Sequence, residues 1–269
     1  MIIDRTMPEG HTIHRIARDH TPLLCGESVA VSSPQGRFTE GAARIDGAIL
    51  ESIEAFGKHL FYWWSTGEVG HVHLGLFGKF NIAKGSHDTA VTGQVRARFR
   101  TPLATIDLRG PTACSIGTPD DRLEIVARLG PDPLRTDADP RVAVERMAAS
   151  RQAIGALLLD QSVLAGVGNV YRAEALFVAG IHPSRPGRDV DRAELHTLWD
   201  TVKRMLEAGV RANRIVTVDR ALLPSGRVAR RGESTYVYHR SICLRCGSAT
   251  SVATIGARDC WFCPVCQPS

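Results

Sequence analysis

Two groups of residues in this chain could do chemistry at their spacing: paired cysteines close to the C-terminus, and a proline–glutamate pair near the start. Cys243-x-x-Cys246 and Cys263-x-x-Cys266 are separated by sixteen residues. A two-residue gap lets two thiolates of one tight turn reach a single ion at about 2.3 Å, and two such turns close a tetrahedral four-thiolate site. Protein fills all four positions, so the expected ion is one structural Zn²⁺ with no position left for water or substrate. Cys260-Trp-Phe-Cys263 is a competing Cys-x-x-Cys. The pair flanking Pro264-Val265 is preferred, because it mirrors the compact turn of the first pair. Structural disulfides are the alternative, and a reducing compartment disfavours them. The isolated Cys25 and Cys114 read as small buried hydrophobes.

At the other end the chain reads Met7-Pro8-Glu9-Gly10-His11. If translation starts at Met7 and the methionine is trimmed, Pro8 becomes a free secondary amine. An α-amino group titrates near 8, so much of it is a neutral nucleophile at physiological pH, unlike a lysine near 10.4. Glu9, next to it, could supply or remove protons. Retention of Met1–Thr6 would leave the Pro8 nitrogen an amide with no such chemistry. The plain alternative for the dipeptide is a helix start with proline in its first turn.

A third candidate is an anion site. Leu157-Leu-Leu-Asp-Gln-Ser-Val-Leu-Ala-Gly-Val-Gly-Asn-Val-Tyr-Arg-Ala-Glu174 runs from an apolar helix, through a turn with Gly166 and Gly168, into a helix that Asn169 caps. Exposed N–H groups at such a helix start, with the macrodipole behind them, suit a phosphate; an ordinary helical hairpin is the alternative. Downstream, Arg211, Arg214, Arg220, Arg227, Arg230, Arg231 and Arg240 face only Asp219 and Glu233. This is either a solvated basic loop or a phosphate-facing segment. His11, His14, His59, His71 and His73 read as structural rather than as a second metal site.

These residues need elements to position them, and 269 residues with 43% hydrophobic and 23% charged content can build two domains. The net charge of +5 is a mild bias toward polyanions. The longest apolar runs, such as Leu60–Trp64, are far short of the roughly 20 residues that span a bilayer, and the start lacks a secretion signal. A cytoplasmic, DNA-associated monomer without membrane contact is the expectation. Apolar spacing predicts a helix over Gly10–Leu24, stopped by Gly26. Short alternating runs then predict strands at Ser28–Ser32, Ala48–Ala55, Leu60–Trp64, Val69–Leu74, Phe80–Ala83 and Ala104–Leu108. Val95-Arg-Ala-Arg-Phe-Arg is a strict period-2 strand with one apolar and one basic face. Helices are expected at Asp120–Leu129, Arg141–Ser150, Ala153–Gln161, Asn169–Ala179 and Arg192–Ala212, with Arg135–Pro140 as linker. Ser251–Thr254 and Trp261–Phe262 have β character, with Arg258 at the turn between them. The fold class is α+β: a helix plus β-sandwich domain (1–130), a helix-two-turn-helix domain (141–235) and a zinc-finger hairpin (236–269).

Four features in this order resemble the formamidopyrimidine-DNA glycosylase/endonuclease VIII family: Pro8-Glu9-Gly10, Gly57-Lys58 in a mid-domain turn, Gly-Val-Gly-Asn169-Val-Tyr-Arg-Ala-Glu, and the four-cysteine finger ending Phe-Cys-Pro-Val-Cys-Gln. The resemblance covers essentially the whole chain after Met7. It implies that Pro8 is the nucleophile at the sugar C1′ of a damaged nucleotide, that Glu9 is a catalytic acid, and that Lys58, Asn169 and Arg258 grip phosphates around the flipped nucleotide. It implies that Leu76, with Phe77, fills the void that the base leaves. Arg172 and Glu174 match positions lining the site in some relatives. The implied partner is damaged DNA, the cofactor one structural Zn²⁺, and the activity that of a bifunctional glycosylase and abasic-site lyase in base excision repair.

Three departures refine this. The Arg-Arg-Phe-Gly element of formamidopyrimidine-type members is missing from Asp107-Leu-Arg-Gly-Pro-Thr112. With Pro-Glu-Gly and Gln161, its loss points to the endonuclease VIII branch and to oxidised pyrimidines. A second glutamate common in relatives is replaced by Thr12, and Met1–Thr6 precede the expected start. A catalytically silent DNA-binding protein on the same scaffold, with Pro8 blocked, is one rival reading; a zinc-ribbon module fused to an unrelated β domain is another.

Overall fold

The computed structural model describes residues 8–85, 90–219 and 233–269. Met1–Thr6, Met7 and the loop arginines Arg220, Arg227, Arg230 and Arg231 lie outside the described residues. The described chain forms two compact units, one comprising Pro8, Glu9 and Ile13–Arg128, the other Gly10–Thr12 with Leu129–Ser269.

Helix α1 (Gly10–Leu24), of which Ile13–Leu24 belongs to the first unit, takes its buried face of Ile13, Ala17 and Leu24 from apolar residues spaced three to four apart or a multiple of that. Alternating side chains give strands β1 (Ala30–Ser32), β2 (Leu50–Phe56), β3 (His59–Trp64), β4 (Val69–His73), β5 (Lys79–Lys84), β6 (Ala97–Arg100), β7 (Ala104–Arg109) and β8 (Ala113–Gly117). They pair antiparallel in two four-stranded sheets of order β1-β6-β7-β5 and β2-β3-β4-β8. Leu50, Leu60, Tyr62, Trp64, Phe99, Ile106 and Leu108 fill the sandwich between them. Two helices complete the unit: α2 (Thr39–Ile45) and α3 (Pro119–Ala127), which starts in a reciprocal capping box of Thr118 and Asp121.

Two features of this unit differ from the reading of the sequence. Thr39–Ile45 is helical although its surroundings are β, because Ala42 and Ile45 bury one side of two turns, too short a span for a 3.6-residue period to show. The expected basic face of Val95–Arg100 is also not solvated throughout. Arg98 sits opposite Asp107 in the β6–β7 register, is buried, and donates to both carboxylate oxygens at 2.7 and 3.0 Å. A buried arginine needs such a partner to offset its lost hydration. Arg109 also donates to Asp107, at 3.2 Å.

The second unit is built on α4 (Pro140–Ala148), α5 (Ile154–Leu157), α6 (Asn169–Ala179) and α7 (Arg192–Ala212), followed by the hairpin β9 (Ser251–Ile255) and β10 (Arg258–Phe262). Helix α7 opens in a capping box of Asp191 and Glu194 and turns Leu195, Leu198, Trp199, Val202, Met205 and Leu206 inward. Every residue from Asn169 to Phe177 in α6 is buried, so this helix is the axis on which the unit packs. Ala138, in the stretch read as a linker, and Leu134 just before it pack against the same core. The helix expected over Ala153–Gln161 stops at Leu157. Asp160 accepts from the Ser162 backbone, and the Gln161 carboxamide spans the following turn, donating to Leu159 and Val167 carbonyls and accepting from Gly166 N at 3.1 Å. Side chains that bond their own backbone in this way compete with the helix and end it. Among the described residues, no helix is long and apolar enough to cross a membrane.

Candidate functional site

The four cysteines Cys243, Cys246, Cys263 and Cys266 come together with their sulfurs within 4.8 Å of one another. Cys246 and Cys263 Sγ are 3.5 Å apart, and Cys243 and Cys266 Sγ 4.0 Å. A tetrahedron of Zn–S bonds near 2.3 Å has edges of about 3.8 Å, so the donor set fits a Zn²⁺ in size and in chemistry. Cys260 lies outside the set; it is buried, with its thiol turned to the Trp261 carbonyl. Burial raises its pKa, consistent with a packed, inert thiol. Turns of this kind need no long-range help: Cys243 N bonds Ser248 O, and Gly247 N bonds Cys243 O, at 2.8 and 3.0 Å.

Helix α6 carries the finger. Arg172 is fully buried, and its guanidinium donates to the backbone carbonyls of Ile255 at 2.8 Å and Asp259 at 2.7 Å, and to the Asn169 side chain. Asn169 Nδ2 adds a bond to the Asp259 carbonyl at 3.0 Å. Five planar donors on one rigid fork suit this task, since several carbonyls of a hairpin turn are met at once. Arg172, Asn169 and the β9–β10 turn are therefore one assembly, and Arg258, an exposed side chain, projects from it. The turn itself is Gly256-Ala257, both with positive φ, and Arg258 is the first residue of β10, paired with Ile255.

Glu174, two residues further on, is buried completely and joins two distant segments. Its carboxylate accepts from Tyr236 N at 2.6 Å, Val237 N at 2.9 Å and Tyr238 N at 2.8 Å, and from the Thr217 hydroxyl. Burial raises its pKa, while these donors hold it down. Nothing in the local sequence announces this role, because its partners lie 43 to 64 residues away.

At the start of the described chain, Pro8 is half-buried and Glu9 is only 1% exposed. Gly10 N donates to Gly166 O at 2.8 Å, and a Cβ on Gly10 would stand 2.9 Å from Gly166 Cα. Only glycine allows that approach of two backbones. The next residue, His11, lies edge-on to Tyr171 with ring centroids 5.3 Å apart.

Lys58 occupies the two-residue turn between β2 and β3, after Gly57 at φ 57°, and is half-buried. Beside it on β3 and β4, His59 stacks on His71 and lies tilted against His73, with His59 Nδ1 and His71 Nε2 2.9 Å apart. Burial pushes His59 down to about 3 and His71 to about 4, so both rings are neutral at pH 7. Leu76 and Phe77 stand 50% and 68% exposed at the tip of a turn closed by Gly78 N bonding Leu74 O at 2.9 Å. Two large apolar side chains held out on one tight turn are a costly arrangement in water without a partner. Of the residues singled out in the sequence, Lys58, Leu76 and Phe77 thus belong to the first unit. Asn169, Arg172, Arg258 and the cysteines converge in the second.

Comparison with known proteins finds similarity over 97% of the chain. Residues 7–114 match the model of the formamidopyrimidine-DNA glycosylase N-terminal domain, and residues 129–220 that of the formamidopyrimidine-DNA glycosylase H2TH domain. The chain is 45% identical to "Endonuclease 8 1" of Mycobacterium tuberculosis, over 97% of this chain and 100% of that one. It is 32% identical to the formamidopyrimidine-DNA glycosylase of Halorhodospira halophila, over 97% and 98% of the two chains. Among solved structures, that of the Lactococcus lactis formamidopyrimidine-DNA glycosylase bound to abasic-site DNA superposes with a TM-score of 0.80 at 21% identity, over 97% of this chain and all of that one. A structure of MutM with DNA containing carbocyclic 8-oxoguanine gives 0.81, also at 21% identity and the same coverage.

Proposed function

The chain belongs to the formamidopyrimidine-DNA glycosylase/endonuclease VIII family of DNA glycosylases, and on that premise we propose that it excises oxidised pyrimidines and then cleaves the strand through a Schiff base on Pro8. The observation that carries this reading is the Pro8-Glu9-Gly10 start, with Glu9 buried and Gly10 pinned to the turn before α6. The Pro8 lone pair attacks C1′ of the damaged nucleotide, the glycosidic bond breaks, and the base leaves with a proton. Glu9, sheltered from water, supplies or takes protons at the base and sugar. Opening of the sugar gives the iminium, whose positive charge acidifies C2′–H. Loss of that proton expels the 3′ phosphate and cuts the strand. Lys58, Asn169 and Arg258 grip the flanking phosphates, and Leu76 with Phe77 enters the stack as the nucleotide leaves it. The zinc holds the finger that presents Arg258. Arg172 positions Asn169 and that finger from inside.

Duplexes carrying a single 5-hydroxyuracil or a single 8-oxoguanine test the substrate class. Cleavage of the pyrimidine lesion with kcat/KM at least about tenfold higher, a difference of roughly 1.4 kcal/mol in transition-state binding, is the expected result. Equal rates, or a preference for 8-oxoguanine, would place the chain's specificity outside the oxidised pyrimidines.

The phosphate contacts predict a second measurement. Lys58→Ala and Arg258→Ala each weaken binding to every lesion alike and flatten the slope of log K against log salt by about 0.9. An unchanged slope in either variant removes that residue from the interface.

A further inference from the structure

Leu76 and Phe77 project from a turn that joins β4 of one sheet to β5 of the other. A second connection, Gly110-Pro111-Thr112, joins β7 to β8 and crosses between the same two sheets. Because β4 pairs with β8 and β5 with β7, the two crossings run side by side. Thr112 N donates to His73 O at 2.9 Å, and the Thr112 hydroxyl fills the space over Gly75, where a Cβ would come within 1.7 Å of it. Gly110, at φ 58°, lies against the Phe77 backbone; a Cβ there would stand 3.2 Å from the Phe77 oxygen. Gly75, at φ 63°, and Gly110 thus let two backbones meet where any other residue would hold them apart.

The second connection is itself tied down. Pro111 is buried, and its ring fixes φ. Arg109, the last residue of β7, donates to Asp107 and to the Thr92 hydroxyl, both at 3.2 Å, and Asp107 is held in turn by the buried Arg98. The first turn therefore leans on a fixed support. Thr112 is an exposed residue, so its side chain adds little to the core. What it does is limit how far the Leu76–Phe77 tip can tilt back. That limit matters for a tip that enters a base stack, since unstacking costs free energy and a yielding tip would bend instead of entering. A side chain already held in its working position also loses less freedom on binding.

We propose that Thr112 is a positioning residue for strand entry: by packing on Gly75 it keeps the Leu74–Gly78 turn upright, so that Leu76 and Phe77 enter the stack of bound DNA as a rigid wedge. This rests on the reading of Leu76 and Phe77 as the residues that fill the void.

Stopped-flow fluorescence with the full chain tests it on a duplex that holds a tetrahydrofuran abasic analogue opposite 2-aminopurine. Entry of the tip unstacks the 2-aminopurine and its emission rises; no strand chemistry is involved, so the state of Pro8 does not matter. Thr112→Ala slows the rise by about fivefold or more, as expected for a misplaced functional group. Its thermal midpoint and its slope of log K against log salt stay those of wild type, because neither the core nor a phosphate contact has changed. Thr112→Ser, which keeps the hydroxyl over Gly75, rises at the wild-type rate. The Leu76→Ala/Phe77→Ala double variant gives no rise. Thr112→Ala at the wild-type rate, or Thr112→Ser as slow as Thr112→Ala, overturns the proposal while leaving the void-filling residues in place. A full rise in the double variant, or none in wild type, overturns the void-filling reading and this proposal with it.

Discussion

Protein whose chain begins at Pro8 becomes covalently trapped on abasic-site DNA by borohydride, and protein that keeps Met1–Thr6 binds the same DNA without being trapped. Only a free amine can form the iminium that borohydride reduces; within a longer chain the Pro8 nitrogen is a tertiary amide whose lone pair is delocalised into the carbonyl. The effect is close to all-or-none, and intact mass with N-terminal sequencing identifies which form is present. Pro8→Gly keeps part of the trapping, because glycine still offers an amine, though a less constrained primary one. Glu9→Gln loses base excision more than cleavage at a preformed abasic site, since its acid role belongs mainly to the first step. Efficient trapping by a chain shown to be intact from Met1 would make another residue the nucleophile, with Lys58 the next to test.

Zinc removal has the second largest effect. Cys243→Ser or Cys266→Ser loses the metal, DNA binding and strand cleavage together, because binding at a four-thiolate site supplies folding free energy of roughly 10 kcal/mol or more. Elemental analysis of active, untagged protein without zinc would refute this, and release of the metal by Cys260→Ser but not Cys263→Ser would move the ligand set. The finger can also be detached from within. Arg172→Ala removes the donors to the Ile255 and Asp259 carbonyls while leaving all four thiolates in place. It therefore retains zinc but loses affinity for DNA, by about as much as Arg258→Ala or more. A buried carbonyl left without a donor costs about 1–3 kcal/mol, and that of Asp259 keeps only the Asn169 amide of the two side-chain donors described. Arg172→Lys does not restore binding, because one ammonium cannot span carbonyls that a planar fork reaches.

The parts of this protein that were legible in its sequence are those whose causes are local. A two-residue gap lets two thiolates of one turn face a single ion, and the structure gathers Cys243, Cys246, Cys263 and Cys266 while leaving Cys260 aside. Long amphipathic helices such as Gly10–Leu24 and Arg192–Ala212 repeat their pattern often enough to be read with correct limits. Short elements were lost: α2 offers two turns among strands, and α5 ends early because Asp160 and Gln161 bond the backbone instead.

What the tertiary structure alone decided is which charged and small residues serve the interior. Arg98 looked like part of a basic face until the β6–β7 register set it against Asp107. Arg172 reads in sequence as a residue lining the site; in the fold it is buried and bonded to the finger backbone more than eighty residues later. Glu174 binds Thr217 and Tyr236–Tyr238, and Gly209 is bare because His11 and Tyr171 leave no room for a methyl group. In each case the partner is brought near by packing of whole elements. A residue's own neighbours in the chain carry the information for spacing, periodicity and caps, but the cost of burying a charge or a Cβ is set by groups that only the folded chain places beside it.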